Sequence, residues 1–262
     1  MNTARLKKAL GNFNRLPEIA DCMWKSPEWT SIIPAYVGVV RWNYPYRIKP
    51  SRCSVAMLYS FEDLTSFWSV WFGDEYRVRR SDRVIVDAGA NIGAFTLFAA
   101  ERSGATIFSV EPFPENVARL RDNLSLNGIS PARAKVLEKA VAKMPGQVRM
   151  SIDPNIPSHS KTVRDDLPPE ESIAVASLTM DQLVEEAGGS IDLLKLDVEG
   201  SEYPFLAGGS RKAMRAVDRF GIEYHGRDGF QQLRDIILPH GFKVSRHRVA
   251  CIDRGIAEFT RI

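Results

Sequence analysis

The chain has 262 residues, 44% of them hydrophobic and 26% charged, which allows one large domain, or one with an extension, whose core needs no disulfide or metal. Three scattered cysteines, Cys22, Cys53 and Cys251, form neither a CxxC nor a zinc spacing and point to reduced thiols in a cytoplasmic protein. The start MNTARLKKALGNF lacks the apolar stretch of a secretion signal, and no apolar run is long enough for a membrane span. Net charge is +3, with 13 Lys and Arg against 8 Asp and Glu in residues 1–83 and 22 against 24 in the remainder. These basic residues are dispersed, so nucleic acid is not an expected partner.

Residues 1–80 contain all five tryptophans, and prolines at 17, 27, 34, 45 and 50 keep the early elements short. FEDLTSFWSVWF (Phe61–Phe72) repeats apolar residues every three or four positions and predicts a helix. Its aromatics fit packing in a core or lid better than stacking on a ligand. From Ser81 the pattern alternates. VIVDAG is a short strand, AFTLFAAERSG a helix, ATIFSVEP a strand, and PENVARLRDNLSLNG a helix with Pro114 in its first turn and Gly128 beyond its end. AKVLEKAVA and QVRMSID are predicted strands around a KMPGQ turn. Residues 153–172 are polar, carry prolines and read as a long loop. MDQLVEEAGG is helical, and IDLLKLDVEG is a strand, continuously apolar in the manner of one buried on both faces. EYPFLAGGSRKAMRA is a further helical stretch and DRFGIEYHG a strand. FQQLRDIILPHG is a helix, and FKVSRHR and GIAEFTRI close the chain as strands. This alternation predicts an α/β sandwich with a mainly parallel sheet, residues 81–262 forming the catalytic domain and 1–80 an extension that lids the substrate pocket.

The turn of VDAGANIG, between the first predicted strand and helix, carries the chemistry. Gly89 and Gly93 stand four apart, with Asn91 and Ala94 where a dinucleotide fold wants its other glycines, and no P-loop exists. The turn suits a ligand with an ammonium and a carboxylate instead of a pyrophosphate. Asp87 can accept from the amine, directly or through water. Gly89 lets the loop pass close to the ligand, and Gly93 opens a helix whose N-terminal amides suit the carboxylate. Glu111, at the end of the second strand, can take both ribose hydroxyls, and Phe113 can face the purine. The set describes S-adenosylmethionine.

VDAGANIG followed by VEP resembles motif I and the second-strand acidic residue of class I methyltransferases. Together with SLTMDQL (Ser177–Leu183) and IDLLKLDVEGSEYPFLAGG (Ile191–Gly209), it resembles the FkbM family over about residues 60–245. Residues 1–55 carry none of the resemblance. The resemblance implies a Rossmann-like, seven-stranded sheet of order 3-2-1-4-5-7-6 and methyl transfer to oxygen of a small-molecule natural product or a sugar. A nitrogen acceptor, an RNA 2′-hydroxyl and a non-catalytic cofactor-binding scaffold are the alternatives. The slightly acidic catalytic part speaks against RNA.

Along KLDVEG, Lys195, Asp197 and Glu199 share one face if the strand continues that far. The next strand puts Glu223 and His225 on one face, and the implied strand order makes the two strands neighbours. An acceptor hydroxyl must be aligned and lose its proton. His225 or Asp197 is the expected base, with Glu199 and Glu223 orienting it or the acceptor. Asp197 also stands beside the cofactor's sulfonium. Alternatively Asp197, Glu199 and Glu223 hold Mg²⁺ or another divalent ion. Lys195 reads first as an ion-pair partner and second as a substrate contact. Glu202 reads as a first-turn residue favoured by the helix dipole. His159, in the polar loop, is a substrate-contact candidate. A homodimer is compatible with the sequence.

Overall fold

The computed structural model describes residues 15–151 and 172–262. The loop expected over residues 153–172, His159 included, lies outside the described residues except for Ser172.

Helices α1 (Leu16–Lys25) and α2 (Trp29–Tyr36) precede a hairpin of β1 (Tyr46–Ile48) and β2 (Ala56–Leu58), and then α3 (Phe61–Trp71). The short early elements follow from the prolines. Helix α3 begins where Ser60 accepts from the amide of Asp63, a side-chain N-cap. Its apolar face places Leu64, Phe67, Trp68 and Trp71 in the interior. Trp68 stacks on Tyr36 at 3.8 Å, and Trp71 meets Phe98 edge-on at 5.4 Å. The indole nitrogen of Trp71 donates to the Ala94 carbonyl at 3.2 Å. These aromatics are core, and through them the described part of the extension shares one apolar cluster with the sheet unit. Each such ring removed from water contributes on the order of 1.5–3 kcal/mol.

The main sheet contains β3 (Val84–Ala88), β4 (Thr106–Val110), β5 (Ala134–Leu137), β9 (Leu193–Leu196), β10 (Arg219–His225), β11 (Phe242–Cys251) and β12 (Arg254–Arg261). Its spatial order is β5-β4-β3-β9-β10-β12-β11. Counted along the chain, this is the expected 3-2-1-4-5-7-6. Strands β5, β4, β3, β9 and β10 pair in parallel, and β12 is antiparallel to both of its neighbours. Helices α4 (Ala94–Arg102) and α5 (Pro114–Leu126) connect β3, β4 and β5. The strand order reverses between β3 and β9, which opens a crevice at the carboxyl ends of these two strands.

Three expectations change. The predicted strand Ala134–Ala142 divides: β5 pairs with β4, whereas β6 (Ala140–Val141) leaves to pair with β8 (Ser172–Leu178). Strand β8 was not expected; it also pairs with β7 (Gly146–Ser151), and these three form a separate small sheet. Beyond it α6 (Met180–Glu186) starts on a reciprocal capping box of Thr179 and Gln182. The helical stretch after Glu202 divides into α7 (Glu202–Ala207) and α8 (Arg211–Arg215), with Gly208 and Gly209 between them, before β10 leads to α9 (Gly229–Ile237). Among the described residues no helix is long and apolar enough to cross a membrane.

Candidate active site

A cavity of about 1120 Å³ opens at the crevice. The turn after β3, the ends of β4, β9 and β10, the extension and the β11–β12 hairpin all contribute to its wall. The sequence pointed to the first three sources. The hairpin's Arg248 and Arg254 follow from the tertiary fold, because β11 and β12 fold back along β10.

The turn is strapped to β4. The amides of Gly89 and Ala90 both donate to the Val110 carbonyl at 3.0 Å. Asn91 sits in the left-handed region at φ 49° and donates its amide to Glu111 Oε2 at 2.9 Å. The other Glu111 oxygen accepts from the Phe113 amide at 3.0 Å and from Asn116 Nδ2 at 3.3 Å. Burial raises the Glu111 carboxyl above its ordinary range, and these hydrogen bonds pull against it. Glu111, Phe113 and Asn91 line the cavity, where the sequence suggested. Asn91 Oδ1 is buried there without a hydrogen-bond partner among the described residues. Phe113 packs with Ala140 and Met150, which floors this end with apolar surface. Asn116 was missed; its sequence signal is an amide on the inward face of α5.

Gly93 is the left-handed N-cap of α4, as expected. Gly89 is needed for a different contact. A Cβ there would meet the Asp197 carbonyl, so the close approach is to the end of β9.

Direct contact between Asp87 and a ligand amine is corrected. Asp87 is fully buried beneath the turn. It accepts from Thr96 Oγ1 at 2.7 Å and pairs with Lys195 Nζ at 3.1 Å. Lys195 Nζ also donates to the carbonyls of Ala88 and Gly89 at 3.3 and 2.7 Å. Burial works against the Lys195 charge, but Asp87 and Asp197 outweigh it and hold the ammonium above its ordinary range. Lys195 is therefore the expected ion-pair partner, and Asp87 acts on the turn through it.

Strand β9 stops at Leu196, so strand parity is not what aligns Asp197 and Glu199. Glu199 turns back at φ 53°, and the chain reversal brings its Oε2 to 3.4 Å from His225 Nε2. Glu223 Oε1 lies 3.9 Å from the same nitrogen. Glu202, fully buried, holds His225 Nδ1 at 3.2 Å and accepts from the amides of Val198 and Gly200. Its role is to position the imidazole and the β9–α7 turn, beyond the dipole role assigned from sequence. Tyr203 adds a hydroxyl that accepts from the His225 amide at 3.1 Å.

These contacts correct the histidine's role. Burial lowers His225, but the Glu202 hydrogen bond and the charges of Glu202, Glu199 and Asp197 raise it to about 9. At neutral pH it is an imidazolium, so it does not accept a proton. Burial and the charges of Asp197 and Glu75 raise Glu223 to about 8, against Arg254 and His225. Asp197, Glu223 and His225 offer ligand atoms within 4.8 Å of one another. A divalent ion fits this donor set poorly. His225 carries a proton where a metal needs a lone pair, Arg254 Nε is 3.3 Å from Glu223, and Lys195 Nζ is 3.9 Å from Asp197.

The chain matches the family model described as the methyltransferase FkbM domain over residues 87–244. Methyltransferase sdnD of Sordaria araneosa is 26% identical over 239 residues, covering 79% of this chain and 92% of that protein. The 31-O-demethyl-FK506 methyltransferase FkbM of Streptomyces tacrolimicus is 30% identical over 196 residues, covering 63% of this chain and 74% of that one. The crystal structure of Methyltransferase FkbM from Methylobacillus flagellatus KT aligns at a TM-score of 0.48 and 16% identity, over 76% of this chain and 54% of the other.

Proposed function

Because the chain belongs to the FkbM family of methyltransferases, we propose that it transfers a methyl group from S-adenosylmethionine to a hydroxyl of a small natural product or a sugar. The observation that carries the cofactor is the Glu111 carboxylate, fixed by the amides of Asn91 and Phe113 at the cavity wall. It stands at the end of β4, next to the crevice, and the turn that donates to it carries the buried, unpartnered Asn91 Oδ1. A carboxylate accepts both hydroxyls of a ribose, and the orphaned amide oxygen accepts a further donor from the ligand. Phe113 offers a face to the purine. The first amides of α4 face the crevice for the ligand carboxylate. When bound, S-adenosylmethionine supplies an electrophilic methyl group on sulfonium.

The Streptomyces relative is named for methylating a 31-O-demethyl compound, and that supports an oxygen acceptor here. Asp197, at the cavity wall beside the crevice, takes the acceptor's proton. Glu199 and Glu223 orient the acceptor, and the His225 imidazolium holds both carboxylates in place. The extension supplies the outer wall of the acceptor pocket.

Calorimetric titration with S-adenosylhomocysteine tests the cofactor reading. Micromolar binding that is lost in Glu111→Ala is expected. A folded protein that binds neither the thioether nor S-adenosylmethionine would sink it.

A further inference from the structure

The cavity wall carries more negative charge than its own cations match. Arg248 is held by Glu18 at 3.2 Å, Lys195 by Asp87 at 3.1 Å, and Arg254 by Glu223 at 3.3 Å. Glu199 faces the His225 imidazolium. Glu75, in the segment between α3 and β3, lines the same cavity, and its carboxylate has no hydrogen bond or ion pair among the described residues. Among the described residues, the Asp197 carboxylate pairs only with Lys195, at 3.9 Å.

A second observation comes from the neighbouring residue. Tyr76 lines the cavity and is 3% exposed, yet its hydroxyl has no hydrogen-bond partner among the described residues. It stands in the field of Asp197, Glu223 and Glu75, which together with burial keeps the phenol neutral. The ring is packed away while the hydroxyl opens on the cavity with no protein partner, so it is free to pair with a ligand there.

We propose that the methyl acceptor carries a protonated amine, which docks between Glu75 and Glu223 beside the Tyr76 hydroxyl. This names the substrate class within the methyltransferase reading and rests on it. Asp197 faces the sulfonium, one cation, and Glu75 with Glu223 faces a second. An organic monocation suits the place better than a divalent ion, because the His225 imidazolium offers no lone pair to a metal and Arg254 already engages Glu223, whereas an ammonium needs only hydrogen-bond acceptors. The state of the two carboxylates agrees. Burial, with Asp197 and Glu18 against Arg248 and Arg15, lifts Glu75 to about 7. Glu223 is raised in the same sense by Asp197 and Glu75, against Arg254 and His225. Glu75 has no ion-pair partner among the described residues, and an ammonium supplies one within reach of Glu223, which Arg254 and the His225 imidazolium already engage.

The test uses matched probes, benzylamine against benzyl alcohol and tyramine against tyrosol, titrated calorimetrically into the full chain with and without S-adenosylhomocysteine. Each amine should bind at least tenfold tighter than its alcohol at pH 7.5. Glu75→Gln should cut that preference below threefold, and Tyr76→Phe should weaken the amines several-fold. Unchanged affinity of Glu75→Gln for S-adenosylhomocysteine establishes that the variant is folded. Equal binding of amine and alcohol, an amine preference that survives Glu75→Gln, or no amine binding at all would overturn the proposal. Failure of the thioether to bind is a separate result that strikes the cofactor reading, because the amine preference is also read without it.

Discussion

A Cβ on Gly89 would stand 1.8 Å from the carbonyl oxygen of Asp197. The turn after β3 and the end of β9 thus meet backbone to backbone at the switch point. Gly89 also holds φ 79°, a conformation that side chains resist. Gly89→Ala is expected to destabilise the fold by about 2 kcal/mol or more. It should also weaken S-adenosylhomocysteine at least roughly tenfold, since the turn must back away from β9. Urea denaturation and calorimetry check both, and wild-type values in each would refute the contact.

Glu111 makes three hydrogen bonds that shape the β4 end of the cavity, where we propose the cofactor binds. Glu111→Gln keeps the size and loses the charge and part of the acceptor capacity. Thioether binding should fall about 10–100-fold, the scale of one or two charge-assisted hydrogen bonds. Glu111→Ala should lose more, together with some stability, because the Asn91 and Phe113 amides are orphaned. Equal losses in the two variants would show that charge, not shape, is what Glu111 supplies, whereas wild-type binding by Glu111→Gln would show the reverse.

Lys195 and Asp87 form a buried pair at 3.1 Å. Lys195→Met leaves the Asp87 carboxylate without its counter-charge and should destabilise the protein by about 3–5 kcal/mol. Adding Asp87→Asn should restore much of that, because no buried charge then remains. A double-mutant cycle measured by thermal or urea unfolding reads the coupling. Additive losses would mean that the two side chains act independently.

Stability should fall as pH rises from neutral to 9. His225 is raised from 6.5 to about 9 in the fold, so its contribution is complete below pH 6.5 and is lost as pH climbs through 9. Glu223 is raised from 4.5 to about 8. Its contribution is complete below pH 4.5 and is lost through pH 8, which is the same sign. The His225 part is on the order of 2 kcal/mol, or roughly 4–8 °C in melting midpoint. His225→Gln should flatten the melting profile between pH 7 and 9, and Glu223→Gln between pH 5 and 8. A wild-type midpoint that rises over this range would contradict both assignments.

The glycines, the acids at strand ends and the alternation of apolar runs made the sheet and its switch point legible in the sequence. These features are local. A strand, a turn and a helix cap are set by neighbours in the chain, and a parallel sheet then dictates which strand ends lie together. The splitting of Ala134–Ala142 between two sheets was hidden, because β6 gains its partner only from β8, more than thirty residues away. Glu75 and Tyr76 end the FEDL…DEY segment that the family resemblance takes in, but nothing local sets them in one cavity with Asp197 and Glu223. The charge state of His225 was hidden for the same reason: it depends on Glu202 and Glu199, which a reversed chain beyond β9 delivers to the ring. The sequence alone determined the strand order, the glycine turn after β3 and the acidic residues at the strand ends. Only the tertiary structure decided that Asp87 is consumed by Lys195, that His225 holds its proton, and that the acceptor wall is acidic. Burial and the distances between charges set these properties, and both arise only when distant segments pack.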